Sequence, residues 1–197
     1  MRVALTALTL AILAGSTPAA AQFGDPAPLL AAQKTAMARI ARMDGIWSGP
    51  AWTMLPNGKH DVTQTERIGP FLDGTVKVTE GHSFNADGTS GFNALGVISY
   101  DVAAKAYNLH SYALGRAGDF ELKVSDTGYV WEIPAGPTMR IVYTATITDS
   151  TWFEVGDRIV TGQPPIRFFE MNLKRVGPTD WPRAGQVAAP GMARVLH

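Results

Sequence analysis

Cysteine is missing from all 197 residues. That excludes a disulfide framework, a thiolate metal site and lipid attachment through a cysteine, so stability must come from packing. An excess of one charge is missing as well, because 17 Lys+Arg balance 17 Asp+Glu. Nucleic acid and anionic membrane surfaces both call for a basic patch, so neither is expected as a partner. No run of apolar residues reaches the roughly 18 to 20 needed for a membrane-spanning helix. Familiar catalytic strings are absent too. The nearest approach to a G-x-S-x-G elbow is "GTSGF" at residues 88 to 92, with the wrong spacing, and no phosphate-cradling glycine loop occurs. His60, His82 and His110 form no H-x-H or H-E-x-x-H pattern, so no metal is predicted, and no cofactor is implied.

What is present begins with Met1, Arg2 and the apolar run "VALTALTLAILAG", followed by "STPAAAQ" with small residues at Ala19 and Ala21. One basic residue, a short apolar core and an A-x-A ending are the parts of a secretory signal peptide over residues 1–21. A periplasmic or secreted location is therefore expected. Residues 22–44 then read as a Pro-spaced leader and one amphipathic helix, with Leu30, Met37, Ile40 and Met43 on its stripe and Asp44-Gly45 as its end.

From residue 45 to 176 short β-rich runs are separated by nine turn signals, among them Pro56-Asn57-Gly58, Asp73-Gly74, Asp87-Gly88, Gly136-Pro137 and Gln163-Pro164-Pro165. Nine breaks make about ten strands with no helix between them, the pattern of an antiparallel up-and-down meander. In "MRIVYTATIT" the residues Met139, Ile141, Tyr143, Ala145 and Ile147 share one face. In "RFFEMNLKR" Phe169, Met171 and Leu173 do the same. Half-buried strands joined by hairpins remove their exposed edges by closing, so an all-β closed barrel is expected. Residues 177–197 defeat both periods and read as an irregular tail, with Trp181 pinned to the barrel wall and the last dozen residues mobile.

Gly45-Ile46-Trp47 at the start of the first strand and Arg175 on the last resemble the signature of the calycin superfamily, which includes lipocalins and fatty-acid-binding proteins. The resemblance implies a barrel whose floor is an indole covered by a guanidinium, a contact worth about 0.5 to 2 kcal/mol. More narrowly, "ERIGPFLDG", "GVISYDVAAKAYNLHSY" and "RFFEMNLKR" resemble stretches of an uncharacterised bacterial lipocalin-like domain family. That family lends a fold and no reaction. Nitrobindin-type relatives bind haem through a late-barrel His, and the last strands here contain none.

A barrel of this size encloses space for side chains or ligand. If Val76 and Val78 face inward, Glu80 and His82 do too, and they make a candidate general acid/base pair. His110 and Tyr112 share a face opposite Tyr107, Leu109 and Ser111, and the pattern leaves open which face is inner. Arg140 would anchor an acidic head group if inward, although its polar face favours solvent, and it could pair with Glu154 across the sheet. Arg167 is inward by parity with Phe169. Trp52, Trp131 and Trp152 are candidates to line an apolar cavity. These residues predict a barrel that binds a small hydrophobic or aromatic molecule. The alternative is an isomerase, lyase or cyclase whose proton transfers fall to His82 with Glu80 or His110 with Tyr112. A third reading is a partner-binding role for the tail and Trp181.

Overall fold

The computed structural model describes residues 24–182. The expected signal peptide and the last dozen residues lie outside that range. Helix α1 (Ala27–Arg39) begins where the Asp25 carboxylate accepts a bond from the Ala27 N–H at 3.0 Å. The α-helix stops at Arg39, four residues earlier than its apolar stripe suggests, and a 3-10 turn (Ala41–Met43) carries the chain on. Met37, Ile40 and Met43 are buried as expected, but Leu30 is 44% exposed. Contact with the barrel starts only near Gln33, which donates to the Tyr100 carbonyl, so the first turn stays in solvent.

Ten strands follow: β1 (Gly45–Leu55), β2 (Gly58–Phe71), β3 (Val76–Phe84), β4 (Ser90–Asp101), β5 (Ala106–Ala113), β6 (Arg116–Val124), β7 (Gly128–Pro134), β8 (Met139–Ile147), β9 (Thr151–Val160) and β10 (Ile166–Gly177). Each pairs antiparallel with its neighbour, and β1 pairs with both β2 and β10, which closes the barrel. Every one of the nine turn signals falls at a strand junction. Turn residues place the junctions, and between them each strand buries one face and wets the other.

The seam between β6 and β7 is the thinnest. Its pairing is confined to Leu122–Val124 against Tyr129–Trp131. Beyond Trp131 the two strands part, and the ring of Phe120 fills the gap at 5.2 Å from the Trp131 indole.

Helix α1 and the 3-10 turn cover one end of the barrel. The Tyr107 hydroxyl donates to the Ala36 carbonyl at 2.7 Å, tying the helix to β5. Lys77, on the inner face of β3 and almost wholly buried, holds the Asp44 carboxylate at 2.6 Å. A buried ammonium is tolerated only with such a partner. Among the described residues no helix is long and apolar enough to cross a membrane.

Candidate functional site

The floor of the barrel is built around Trp47, which has no exposed surface. Its indole N–H donates to the Met43 carbonyl at 2.9 Å, and the Arg175 guanidinium lies over its ring at 4.0 Å from the centroid. Arg175 also donates to the backbone carbonyls of Asp149 (2.6 Å), Arg42 (2.7 Å) and Asp44. One guanidinium thus satisfies carbonyls of the chain entering the barrel and of the β8–β9 turn. Gly45 is required here twice over. Its φ of +141° suits glycine, and a Cβ would collide with the Arg175 guanidinium.

Above this floor lies an interior cavity of about 130 Å³. Met43 and Trp152 form its base. Ile98, Leu109, Leu122, Tyr129 and Trp131, on the neighbouring strands β4 to β7, line one wall, and Glu66, Thr79 and Gly81, on β2 and β3, also line the cavity. Trp152 meets Trp47 edge-on at 5.8 Å and Tyr129 edge-on at 6.2 Å, so floor and cavity wall share one aromatic framework. Trp131 stacks on Tyr143 with centroids 4.5 Å apart and planes 11° off parallel. Tyr143 in turn meets Phe169 edge-on at 6.0 Å, continuing the wall toward the barrel mouth.

Two carboxylates reach this apolar space. Glu154, 6% exposed, accepts bonds at Oε2 from the Tyr129 hydroxyl (2.6 Å) and the Trp152 indole (3.3 Å). Glu66 accepts a bond from the Gln64 amide at 2.8 Å and lies across Gly81, where a Cβ would sit 2.7 Å from its Oε1. Withdrawal from water pushes Glu66 up to about 8, and the nearby Glu154 charge adds to the rise, against the Gln64 bond. Glu154 is also raised by burial, opposed by the bonds from Tyr129 and the indoles. Burial and the Glu154 charge lift Tyr143 to about 12, and they hold Tyr129 well above its ordinary value, so both phenols remain protonated donors.

Most of the residues singled out from sequence lie elsewhere. On β3 the inner face carries Lys77, Thr79, Gly81 and Ser83, so Val76 and Val78 point outward, and Glu80 and His82 with them. His82 stacks on Phe84 and shares a hydrogen bond of 2.8 Å with Ser90 on the outside. The face is fixed by register, since the core residues Ile68 on β2 and Ile98 on β4 pair with Thr79 and Lys77, and the ion pair with Asp44 makes the buried ammonium tolerable.

On β5 the inner face is that of Tyr107, Leu109 and Ser111. His110 pairs with Asp119 at 2.5 Å and Tyr112 is 49% exposed, both outside the barrel. Arg140 is outside as well, in an ion pair with Glu132 at 3.2 Å rather than with Glu154.

Arg167 departs from parity because the register shifts between Arg167 and Phe169. This bulge at Phe168 turns Arg167 outward, where Asp157 holds it at 3.0 Å and Glu170 lies nearby. Trp52 lies on the outer face beneath Lys59. Trp131 and Trp152 are the two sequence candidates that do line the cavity. Trp181 lies against the outer wall, under the Arg67 guanidinium and edge-on to Phe71.

Glu66 and Glu154 are the residues that a search for catalytic pairs passes over. Their signal was parity: Glu66 alternates with Ile68, and Glu154 with Trp152, both of which are core residues.

Fold and site together define a closed ten-strand antiparallel barrel with a small acidic and aromatic interior. No family model matches the chain, and no curated protein matches it. Among solved structures it is similar to the crystal structure of Rv2717c from M. tuberculosis, with a TM-score of 0.54 and 13% sequence identity. The match covers 71% of this chain and 96% of that one. At that identity the likeness bears on the barrel fold alone.

Proposed function

We propose that the protein is an exported binding module of the calycin type, which holds one compact, ring-sized molecule in the barrel interior. The observation that carries this reading is the cavity of about 130 Å³ with the aromatic wall of Tyr129, Trp131 and Trp152. Its size is close to that of cavities known to admit benzene, roughly 150 Å³. Sterols, tetrapyrroles and long acyl chains need several times that space, typically 300 Å³ or more. The leader "VALTALTLAILAG" supports export, and the Trp47–Arg175 stack supports the calycin assignment.

A thermal-shift panel tests the reading. A ligand at 100 times its Kd adds about 2.7 kcal/mol of stability. For a domain of this length that is a rise in Tm of roughly 5 to 10 °C. Single-ring compounds are expected to produce it, and cholesterol, oleate and protoporphyrin are not. Stabilisation by the large compounds alone, or by none of the panel, contradicts the reading.

The enzymatic alternative is favoured by one observation, a carboxyl raised to about 8 beside a second carboxyl in the barrel cavity. Proton transfer on a small hydrophobic substrate would then fall to Glu66 and Glu154, since His82 and His110 face solvent.

A further inference from the structure

We propose that the molecule held in the cavity is a small organic cation, such as a protonated amine or amidine on a single ring, with Glu154 as its counter-ion. The inference rests on the binding reading above and narrows the ligand to one class. Every polar partner of the two cavity carboxylates donates. The Tyr129 hydroxyl and Trp152 indole donate to Glu154, and the Gln64 amide donates to Glu66. These partners hold carboxyl oxygens in acceptor geometry yet bring no positive charge.

No Lys, Arg or His pairs with either carboxylate among the described residues. Lys77 is committed to Asp44, Arg140 to Glu132 and Arg167 to Asp157, each away from the cavity. Glu154 is therefore a charge-bearing group that is 6% exposed, lines a cavity and has no counter-ion. The bonds from Tyr129 and Trp152 both engage Oε2, and every group bonded to Glu154 is a neutral phenol or indole. A buried carboxylate without a partner is costly, and a cation delivered by the ligand removes that cost.

The rest of the wall fits the same class. The rings of Trp131, one face of which is covered by Tyr143, and of Trp152 and Tyr129 line the cavity, and such rings attract ammonium and amidinium groups once water is excluded. A metal ion fits less well. No third His, Cys, Asp or Glu joins the two carboxylates among the described residues, and a two-carboxylate donor set facing indole rings is poor for a metal.

The test is calorimetric titration of the full chain at fixed physiological salt with three compounds of one shape: benzylammonium, benzyl alcohol and benzoate. Benzylammonium is expected to bind at least tenfold more tightly than benzyl alcohol, with benzoate weakest. Glu154→Gln should abolish that preference, bringing the affinity for benzylammonium down to that for benzyl alcohol, in a variant whose fold is checked by its melting curve. Should Glu154→Gln fail to fold, Glu154→Met takes its place, with the same loss of preference expected.

Equal or tighter binding of benzyl alcohol or benzoate by the wild type overturns the cation inference and leaves the binding reading standing. A preference for benzylammonium that survives in the folded variant also overturns it, because the attraction then arises outside the cavity. No binding by any of the three overturns both.

Discussion

Replacing Trp47 with alanine is expected to cost about 3 to 5 kcal/mol, the range for deleting a large aromatic from a packed core. A small domain has only about 5 to 15 kcal/mol in total, so the variant should be near the edge of folding. Three losses coincide in that substitution. The indole is wholly buried, its ring supports the Arg175 guanidinium, and its N–H satisfies the Met43 carbonyl. Removing it leaves a hole in the floor and the Met43 carbonyl without its donor. Trp52→Ala, on the outer face beneath Lys59, should cost under about 1 kcal/mol. Urea unfolding of the two variants side by side checks the contrast. Equal losses would mean that the floor is no more important than the outer wall.

Glu66→Gln is expected to stabilise the protein, and only at neutral to alkaline pH. The ordinary carboxyl value of 4.5 applies to the unfolded chain, and burial holds the folded value at about 8. Between those values the folded state keeps a proton that the unfolded state has released, so stability falls as pH rises. The contribution is fully present below pH 4.5 and is lost as pH rises through about 8. Glutamine mimics the protonated form and removes that slope. At pH 8 and above the variant should gain on the order of 2 to 4 kcal/mol, a rise in Tm of roughly 5 to 10 °C. Near pH 4.5 the two proteins should melt together. Tm curves that run parallel from pH 4.5 to 9 would show that Glu66 is not held in its protonated form.

The barrel itself was legible because its signals are local. Turn residues mark each junction, and alternation in "MRIVYTATIT" and "RFFEMNLKR" marks one buried face per strand. The Trp47 and Arg175 pair was legible through its resemblance to a known signature. Which face of a strand turns inward is a different matter where both faces mix polar and apolar residues. On β3 the answer lies in the register with Ile68 and Ile98 on the neighbouring strands, and Lys77 is buried beside Asp44, a partner from the helix end that no local pattern encodes. On β10 the bulge at Phe168 reverses the parity that works for Phe169, Met171 and Leu173, and it carries Arg167 to the outside.

The site was missed for a related reason. His82, His110, Arg140 and Arg167 drew attention as chemistry-bearing groups, but in this barrel they satisfy outer-face pairs. The groups inside are glutamates, whose usual place is solvent. Only their alternation with Ile68 and Trp152 marks them as inward.

Proton–nitrogen correlation NMR of the tryptophan indoles tests the central claim most directly, because the sequence holds five. Trp131 and Trp152 line the cavity, Trp47 closes its floor, and Trp52 and Trp181 lie on the outer wall. Titration with a single-ring ligand should shift the Trp131 and Trp152 signals and leave those of Trp52 and Trp181 in place. Movement of the outer pair, with the inner pair unchanged, would contradict a ligand-binding interior.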